Sequence, residues 1–409
     1  MRILIYSLNY FPEITGVGKY SGEMAEWLSE RGHDVRVITA PPYYPAWKVG
    51  DDYSQYRYKF ERINNIRVYR CPLYVPKKPG GIKRIIHLLS FAISSFPVAL
   101  YHLFWKPALV FVVEPPLFCS PSALLLAKLA GSKSILHVQD FEVDAAFDLG
   151  LLKNKWLRKL SFKIEGFLLT RFDQISTISN KMLERLTKKG VSVDRQYFLP
   201  NWVDTSLIFP QTGENNYYRE LGISIEQHVV LYSGNMGNKQ GLEIIIDVAK
   251  RLSDNKNILF VMCGDGSAKS KLLKLSEGLD NIMWIPFQPL EKLNEFFGLA
   301  SIHLLPQSQE IADLVMPSKL TGMLASGKPI VTTSTPDTQV ASVVKNCGFV
   351  VPPGDVGQLS DAISSLVADP ELCQQFGNRA REYAVTRLDI NSILLNLDND
   401  LQNLVAVKN

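Results

Sequence analysis

The sequence predicts an α/β protein with two doubly wound units. Short apolar runs alternate with amphipathic segments along the chain, and loops containing glycine follow several of these runs. This alternation is typical of parallel sheets whose strands are joined by helices. A polar stretch at 210–216 interrupts the pattern, which then restarts, so we expect one domain at 1–205 and another at 206–383.

Composition limits the classes of function. The chain has 409 residues, 46% of them hydrophobic, and a net charge of only +4 from 44 basic and 40 acidic residues. This balance argues against nucleic-acid binding through bulk charge. Five scattered cysteines without a CxxC pair suggest neither a disulfide framework nor a zinc site. The N-terminus MRILIYSLNY resembles a first strand and not a signal peptide, so we expect a cytoplasmic protein.

The first unit opens with a strand at 3–6 and a loop at 9–19, followed by a helix from Tyr20. The loop precedes the first helix of a predicted parallel sheet, at the edge where such sheets bind ligands. Gly16 and Gly18 either form a flexible connection or let a bulky ligand approach the backbone.

The segment APPYYPAW at 40–47 follows the second predicted strand. Its three prolines stiffen the backbone, and Tyr43, Tyr44 and Trp47 could form a wall for a sugar ring or a prenyl chain. A rigid surface loop without a special role is the alternative.

The segment at 82–106 is the most apolar part of the chain, and its middle is long enough to cross a bilayer. Pro97, two histidines and the surrounding alternation of strands and helices argue against a span. We therefore expect a helix that is either buried in the domain or lies in the membrane interface, with Phe104 and Trp105 among the contacting residues.

An acidic cluster, HVQDFEVDAAFD, follows the predicted strand at 134–138. His137 or Asp140 could orient or deprotonate an acceptor hydroxyl at this edge of the sheet. Alternatively, His137 is a hydrogen-bonded sheet residue and the carboxylates cap the next helix.

The stretch SGNMGNKQG at 233–241 connects an apolar strand to a helix in the second unit. A glycine loop at the start of a helix can hold phosphate through backbone N–H groups, and Lys239 would add a cation. The predicted phosphate-binding residues of this loop are Gly234, Asn235 and Gly237.

A second glycine turn contains Gly264 and Gly266, and it is predicted to help hold a nucleoside diphosphate. The base would rest against residues 285–288 and the Phe287 ring. Asp265, between the two glycines, is better explained as a helix cap.

The segment MPSKLTGMLASGK at 316–328 provides the third donor element. Pro317 and Ser318 are predicted to start a helix, with Ser318 as its N-cap. Lys319 then lies in the first turn, where a cation opposes the helix dipole unless an anion is bound. Such a local conflict indicates a binding site, although a solvated surface lysine is the alternative.

Together these residues resemble the retaining GT-B glycosyltransferases of family 4, and more closely the colanic-acid-biosynthesis (WcaI-like) type. The resemblance covers nearly the whole chain. It is carried by NYFPEITGVGKYSGEMAEWL, GHDVRVITAPPYYP, RCPLYVPK, LHVQDFEVDA, FLPNW, LYSGNMGNKQGLE and the PSKL helix.

The resemblance implies two Rossmann-like domains facing a cleft, with the acceptor bound by the first domain and the nucleotide-sugar by the second. A C-terminal helix at 384–409 would pack back on the first domain. The loop at Gly16 to Gly18 would approach the donor phosphates, and the loop at Gly234 and the helix at Ser318 would hold the diphosphate.

The resemblance suggests GDP-fucose as donor, with UDP-sugars as the alternative, and a glycan on a polyprenyl diphosphate as acceptor at the inner face of the membrane. Transfer would retain the anomeric configuration and need no metal or other cofactor. Two other functions remain open: a nucleotide-sugar epimerase of GT-B fold, and an inactive membrane-bound scaffold of a polysaccharide assembly complex.

This sequence also departs from the family pattern. Many members have arginine and lysine where Asn235 and Gln240 stand here. The paired glutamates near the donor are replaced by Leu314 and Gly322. Catalysis is therefore expected to depend on Lys239 and Lys319, which would stabilise the leaving diphosphate.

Overall fold

The computed structural model describes residues 1–13, 16–77, 80–144, 155–213, 215–237, 240–308 and 317–406. The chain divides into two compact units, Met1–Pro200 together with Ile393–Asn409, and Asn201–Ser392. The division thus falls after Pro200, five residues before the predicted position, and the chain returns to the first unit inside its last helix.

The first unit contains one eight-stranded sheet with helices between its strands. Its strands are β1 (Arg2–Tyr6), β2 (Asp34–Thr39), β3 (Lys59–Ile63), β4 (Ile66–Arg70), β5 (Leu109–Glu114), β6 (Lys133–Val138), β7 (Gln174–Thr177) and β8 (Gln196–Phe198). The helices between them are α1 (Gly16–Glu30), α2 (Gly81–Tyr101), α3 (Ser120–Ala130), α4 (Lys155–Leu169) and α5 (Asn180–Lys188).

The strand order of this sheet is β3-β4-β2-β1-β5-β6-β7-β8. All neighbouring strands are parallel except β3 and β4, which form an antiparallel hairpin at one edge. The hairpin was not predicted, because its strands KFERI and IRVYR alternate charged and apolar residues and are partly exposed. Asn64 in its turn has a φ of 53°, which asparagine tolerates better than most residues.

The second unit contains a six-stranded, fully parallel sheet. Its strands are β9 (His228–Ser233), β10 (Ile258–Cys263), β11 (Ile282–Ile285), β12 (Ile302–Pro306), β13 (Ile330–Thr333) and β14 (Gly348–Val351). Its helices are α6 (Asn216–Glu220), α7 (Glu243–Arg251), α8 (Lys269–Leu275), α9 (Leu293–Gly298), α10 (Lys319–Ala325), α11 (Gln339–Val344), α12 (Val356–Ala368) and α13 (Pro370–Arg387), and α14 (Ile390–Ala406) follows.

The strand order of the second sheet is β11-β10-β9-β12-β13-β14. The order reverses between β9 and β12, so the loops that follow these two strands enclose the crevice in which sheets of this type bind ligands. The inner strands of this sheet are buried on both faces, which explains their nearly continuous apolar sequences, such as ILFVMC in β10. The helix α7 covers one face with Ile245 and Ile246, both fully buried.

The chain passes between the units at two places, and the two segments are paired. The Val203 N–H donates to the Leu388 carbonyl at 2.9 Å, and the Ile390 N–H donates to the Val203 carbonyl at 3.1 Å. Further along, α14 is fixed to the first unit by a 2.9 Å contact between His33 Nε2 and Asp398 Oδ1, both largely buried.

Arg381 on α13 holds three parts of the second unit together. Its guanidinium donates to the carbonyls of Ile208 at 2.7 Å, Thr205 at 2.9 Å and Ala325 at 3.0 Å. One charged donor on α13 therefore binds both the segment that enters the unit and the last turn of α10.

Replacing Arg381 by alanine should lower the free energy of unfolding of the second unit by about 2–4 kcal/mol, because carbonyls that accept from a charged donor lose their partner. Urea titration followed by circular dichroism measures this loss. The exposed Arg379, two residues earlier on the same helix, is the control. Equal effects of R379A and R381A would contradict the role given to the three hydrogen bonds.

Candidate functional site

Lys319 and Gly234, which the sequence analysis assigned to one phosphate site, lie against each other in the second unit. Gly234 follows β9 with a φ of 143°, and a Cβ built on it would lie 3.3 Å from Lys319 Cδ and 3.6 Å from Nζ. The ammonium group also lies 4.2 Å from the centre of the Tyr232 ring. The side chain that starts α10 thus reaches the loop after β9, where the strand order reverses.

Burial dominates the electrostatics of the Lys319 ammonium group. Burial lowers the pKa of Lys319 to about 7, and among the described residues no carboxylate is paired with it. The Tyr232 ring offers only a cation–π contact. A bound anion would restore the charged form, so this position favours a ligand that carries phosphate.

The two glycine turns of the second unit interlock. A Cβ on Gly264 would lie 2.0 Å from the Gly234 carbonyl oxygen, and one on Gly266 would lie 2.4 Å from the Met236 carbonyl oxygen. The Met236 N–H donates to the Asp265 carbonyl at 2.8 Å. Gly264 and Gly266 therefore let the two loops pack on each other, and the N–H of Met236 is already used in this packing.

The rest of the first glycine loop is held by side chains. The Tyr232 hydroxyl donates to the Asn235 carbonyl at 2.7 Å, and the Gly237 N–H donates to Gln240 Oε1 at 2.7 Å. The side chain of Gln240 thus closes the turn. Lys239 lies outside the described residues, so its predicted pairing with a phosphate stays a prediction.

The predicted cap at Asp265 is wrong, whereas Ser318 occupies the predicted N-cap position of α10 but does not cap it with its side chain. Asp265 Oδ1 accepts from the Gly266 N–H at 2.7 Å within the turn, and α8 begins only at Lys269. Ser318 has a helical backbone, with φ −58° and ψ −28°, and its side chain makes no capping hydrogen bond. Pro317 does contribute to this helix start, because its carbonyl accepts from the Leu320 N–H at 3.0 Å.

The predicted wall for a base follows β11. The Tyr217 hydroxyl donates to Gln288 Oε1 at 2.8 Å, and Gln288 Nε2 donates to the Pro286 carbonyl at 2.8 Å. These bonds fix the chain on both sides of Phe287, whose ring is 49% exposed. Phe287 is thus free to contact a planar ligand, as the prediction requires.

A separate cavity of about 360 Å³ lies at the carboxyl ends of β12, β13 and β14. No residue from the predicted site set lines it. Among the described residues, Gln307 Oε1 and Ser308 Oγ have no hydrogen-bond partner. The lining residues are Gly241, Glu243, Ile244, Asp247, Gln307, Ser308, Thr333, Pro353, Gly354 and Val356. With two acidic and no basic side chains, this cavity suits hydroxyl groups better than phosphate.

His137 in the first unit belongs to a buried network. Its Nδ1 lies 2.8 Å from Ser176 Oγ, and its Nε2 lies 2.8 Å from Gln139 Nε2. Because the Gln139 Nε2 amino group can only donate, His137 Nε2 accepts and Nδ1 carries the proton. Burial lowers the pKa of His137 to about 3, so the ring is neutral. The geometry therefore matches the hydrogen-bonded sheet histidine, the alternative to a general base.

The acidic cluster after β6 separates into distinct environments. Glu142 Oε2 accepts from the Leu117 N–H at 2.8 Å, yet burial raises the pKa of Glu142 to about 7. Asp144 is paired with Arg185 at 2.8 Å, so it is structural. Asp140 is partly exposed, which leaves it as the member of the cluster best placed to meet a substrate.

Sequence analysis missed Glu114, the last residue of β5. The side chain is fully buried, and burial together with the charge of Glu142 raises its pKa well above the usual range. Glu114 and Glu142 are thus two buried carboxyl groups near the carboxyl edge of the sheet, and burial raises the pKa of both. The signal in the sequence is a glutamate between an apolar strand and two prolines.

The predicted ligand loop at the start of the first unit is partly helix. α1 begins at Gly16, four residues before the predicted start at Tyr20. A Cβ on Gly18 would lie 2.7 Å from the Glu13 Cβ, so Gly18 allows the helix to pack on Glu13. Gly16 has a φ of 57°, and the nearest atom to its Cβ position belongs to Tyr44, at 4.0 Å. Space for a ligand remains at Gly16 and not at Gly18.

The aromatic segment at 40–47 faces partly inward. Tyr43 is buried, with its hydroxyl 3.1 Å from His87 Nε2 and its ring 5.4 Å from the Trp47 ring. Tyr43 was predicted to offer an exposed face, and this is wrong, because it packs against α2. Tyr44 is 36% exposed and Trp47 is partly exposed, so these two remain candidates for an acceptor wall.

The helix α2 ends before the predicted membrane aromatics. Trp105 is only 8% exposed, its indole N–H donates to Asp34 Oδ2 at 3.1 Å, and the Arg36 guanidinium lies 4.1 Å from its ring centre. Its predicted exposure to lipid is wrong, because these polar groups hold it in the domain. Phe104 is 87% exposed and could contact lipid.

By length and composition, α2 is apolar enough to cross a membrane, a test that core helices also pass, and 28% of its most apolar stretch is buried. Pro97 lies inside it without ending the helix. Among the described residues, no group of three His, Cys, Asp or Glu side chains could hold a metal ion.

Comparison with known proteins assigns a family. The sequence profile described as Glycosyl transferase 4-like domain matches residues 15–202, and that described as Glycosyl transferases group 1 matches residues 214–383. The WcaI protein of Escherichia coli K12, provisionally described as a colanic acid biosynthesis glycosyl transferase, is 40% identical over 98% of this chain and 100% of its own length.

Solved structures share the fold. Sucrose-phosphate synthase from Thermosynechococcus elongatus matches with a TM-score of 0.77 at 16% identity, covering 100% of both chains. Anabaena HepE, solved in complex with UDP, matches with a TM-score of 0.74 at 14% identity, covering 98% of this chain and 100% of HepE. From its sequence relatives and its fold, the chain belongs to the family 4 GT-B glycosyltransferases of the colanic-acid-biosynthesis type.

Proposed function

We propose that the chain transfers a sugar from a nucleoside-diphosphate sugar, with retention, to a lipid-linked glycan. GDP-fucose is the favoured donor and UDP-sugars are the alternative. The acceptor is a glycan on a polyprenyl diphosphate at the inner face of the cytoplasmic membrane. The observation that carries the proposal is the Lys319 ammonium group, which lies against the backbone of Gly234 and has no paired carboxylate among the described residues.

Lys319 acts on the leaving group in this proposal. Departure of the nucleoside diphosphate places negative charge on the phosphate that was bound to the sugar, and a fixed cation stabilises that charge. Because the site is partly buried, the interaction is stronger than it would be in water. Lys239 is the proposed second cation. The acceptor hydroxyl attacks from the face that the diphosphate leaves, which retains the configuration.

The acceptor side depends on Asp140. His137 is neutral and bonded at both ring nitrogens, so we assign it the role of fixing Gln139 and the end of β6. Asp140 then orients the incoming hydroxyl. The exposed rings of Tyr44, Trp47 and Phe104 are the proposed contacts for the glycan or its lipid.

Purified protein should consume one nucleotide-sugar from a panel of GDP- and UDP-sugars only when a lipid-linked glycan is present. K319A should reduce turnover about 10²- to 10³-fold, because one charge-stabilising donor is lost. The exposed Lys345 in the same unit is the control, and K345A should leave turnover unchanged. Turnover is measured as released nucleoside diphosphate.

The same assay separates the alternatives. Conversion of a nucleotide-sugar to an epimer without acceptor would establish the epimerase. Failure to bind any nucleoside diphosphate by calorimetry would favour the inactive scaffold. Near-normal turnover of K319A would remove Lys319 from the mechanism.

K319M should be more stable than the wild type at pH 7 without ligand. The unfolded-state pKa of lysine is about 10.4, whereas burial lowers the folded pKa of Lys319 to about 7. Below pH 7, the charged form of Lys319 lowers the free energy of unfolding by its full amount. This destabilisation decreases as the pH rises from 7 to about 10, because the folded protein then holds the lysine in its neutral form.

Calorimetric scans at pH 7 and pH 10 test whether K319M is more stable than the wild type. A gain on the order of 1 kcal/mol would raise the melting temperature of K319M by about 2–4 °C at pH 7, and the gap should close at pH 10. Added GDP or UDP should raise the melting temperature of the wild type and not that of K319M. A K319M variant that is less stable than the wild type at pH 7 would contradict the inference that burying the charged Lys319 side chain opposes folding.

A further inference from the structure

The helix α4 carries its apolar side chains on the outside. Trp156, Leu160, Ile164 and Phe167 are 67%, 39%, 50% and 56% exposed. Their spacing of four, four and three residues places them on one face of the helix. A helix on the surface of a domain normally turns such a stripe toward the core, so this arrangement is the reverse of the usual one.

A buried ion pair fixes this orientation. Glu165, on the opposite side of α4 from the stripe, is fully buried and paired with Lys189. Lys189 also lies 2.8 Å from Asp144, which in turn binds Arg185 at 2.8 Å. Rotating α4 to bury the stripe would separate Glu165 from Lys189 and leave charges without partners in the core, which is strongly unfavourable.

The exposed charges of α4 are all positive. Arg158, Lys159 and Lys163 are exposed, and Glu165 is the only acidic residue in this helix. Lys159 and Lys163 border one side of the apolar stripe on the helix surface. An apolar stripe beside cationic side chains is the pattern of helices that lie in the interface of an anionic bilayer.

The helix α2 presents a second apolar stripe on the same face of the sheet. Ile82, Ile86, Ile93 and Phe96 are 74%, 47%, 72% and 39% exposed, at helical spacing. α2, α3 and α4 each connect a strand to a parallel strand further along the sheet in the same direction. Because such crossovers are right-handed, all three helices lie on one face of the first unit.

We propose that α4 is a docking surface for an anionic lipid bilayer. The stripe of Trp156, Leu160, Ile164 and Phe167 enters the boundary between headgroups and acyl chains, and Lys159 and Lys163 contact lipid phosphates. The α2 stripe is the second contact. A second copy of the chain is the less suitable occupant, because pairing α4 with itself brings like charges together.

This inference extends the proposed function, which requires a lipid-linked acceptor but gives no membrane contact to α4. The test is co-flotation of the full chain with vesicles of phosphatidylcholine alone or mixed with phosphatidylglycerol. The wild type should float with the mixed vesicles and weakly or not at all with the neutral ones. Raising the salt concentration should weaken binding, because exposed charges are screened.

The double variant I164S/F167S should bind mixed vesicles at least about tenfold more weakly, since two apolar side chains no longer enter the membrane. K159E/K163E should lose the preference for anionic lipid. The control is I225S, which changes an 89% exposed isoleucine in the second unit and should bind as the wild type does. All three variants change exposed positions, and circular dichroism verifies their folding.

Several outcomes would overturn the assignment. Flotation of I164S/F167S equal to that of the wild type would do so, as would equal binding to neutral and anionic vesicles. Sedimentation showing a wild-type dimer that I164S/F167S dissociates would assign the stripe to a protein interface. Because flotation does not involve sugar transfer, a negative result would leave the transferase proposal standing.

Discussion

A buried lysine that has no paired carboxylate among the described residues is the constraint on which the candidate site of the second unit depends. Lys319 reaches from the start of α10 to the backbone of Gly234, and a side chain at Gly234 would press on it. The loop after β9 is held by the Tyr232 hydroxyl at one point and packs on the turn at Gly264 at another. Burial makes the charged form of Lys319 unfavourable, and a phosphate ligand would stabilise that form.

Most of the fold could be predicted because its strands are buried. Short apolar runs such as ILFVMC predict buried strands of a parallel sheet. Glycines and polar residues separate these runs from amphipathic helices. The β3–β4 hairpin escaped prediction because both strands lie at an exposed edge, where charged and apolar residues alternate without a strong pattern. Local sequence could not show that α1 starts at Gly16 either, since that depends on packing against Glu13.

The candidate site was predictable in its residue types and not in their roles. Lys319 was identified from a conflict with the helix dipole, and the structure adds that it contacts Gly234. Gly264 and Gly266 were assigned to a ligand, whereas their lack of side chains is needed by the neighbouring loop. The apolar composition around Trp105 predicted that this residue contacts lipid. In the structure, Asp34 and Arg36, which come from another part of the chain, hold Trp105 inside the domain. Such partners are set by tertiary structure, which spacing does not encode.

The pairing of Val203 with Asp389 brings the two ends of the second unit together, because these residues lie near its first and last positions. The unit therefore begins and ends at one point. Arg381 adds a second closure there, since its guanidinium donates to the carbonyls of Thr205 and Ala325. The entry of the chain into the unit is thus joined to the last turn of the seven-residue helix that begins with Lys319.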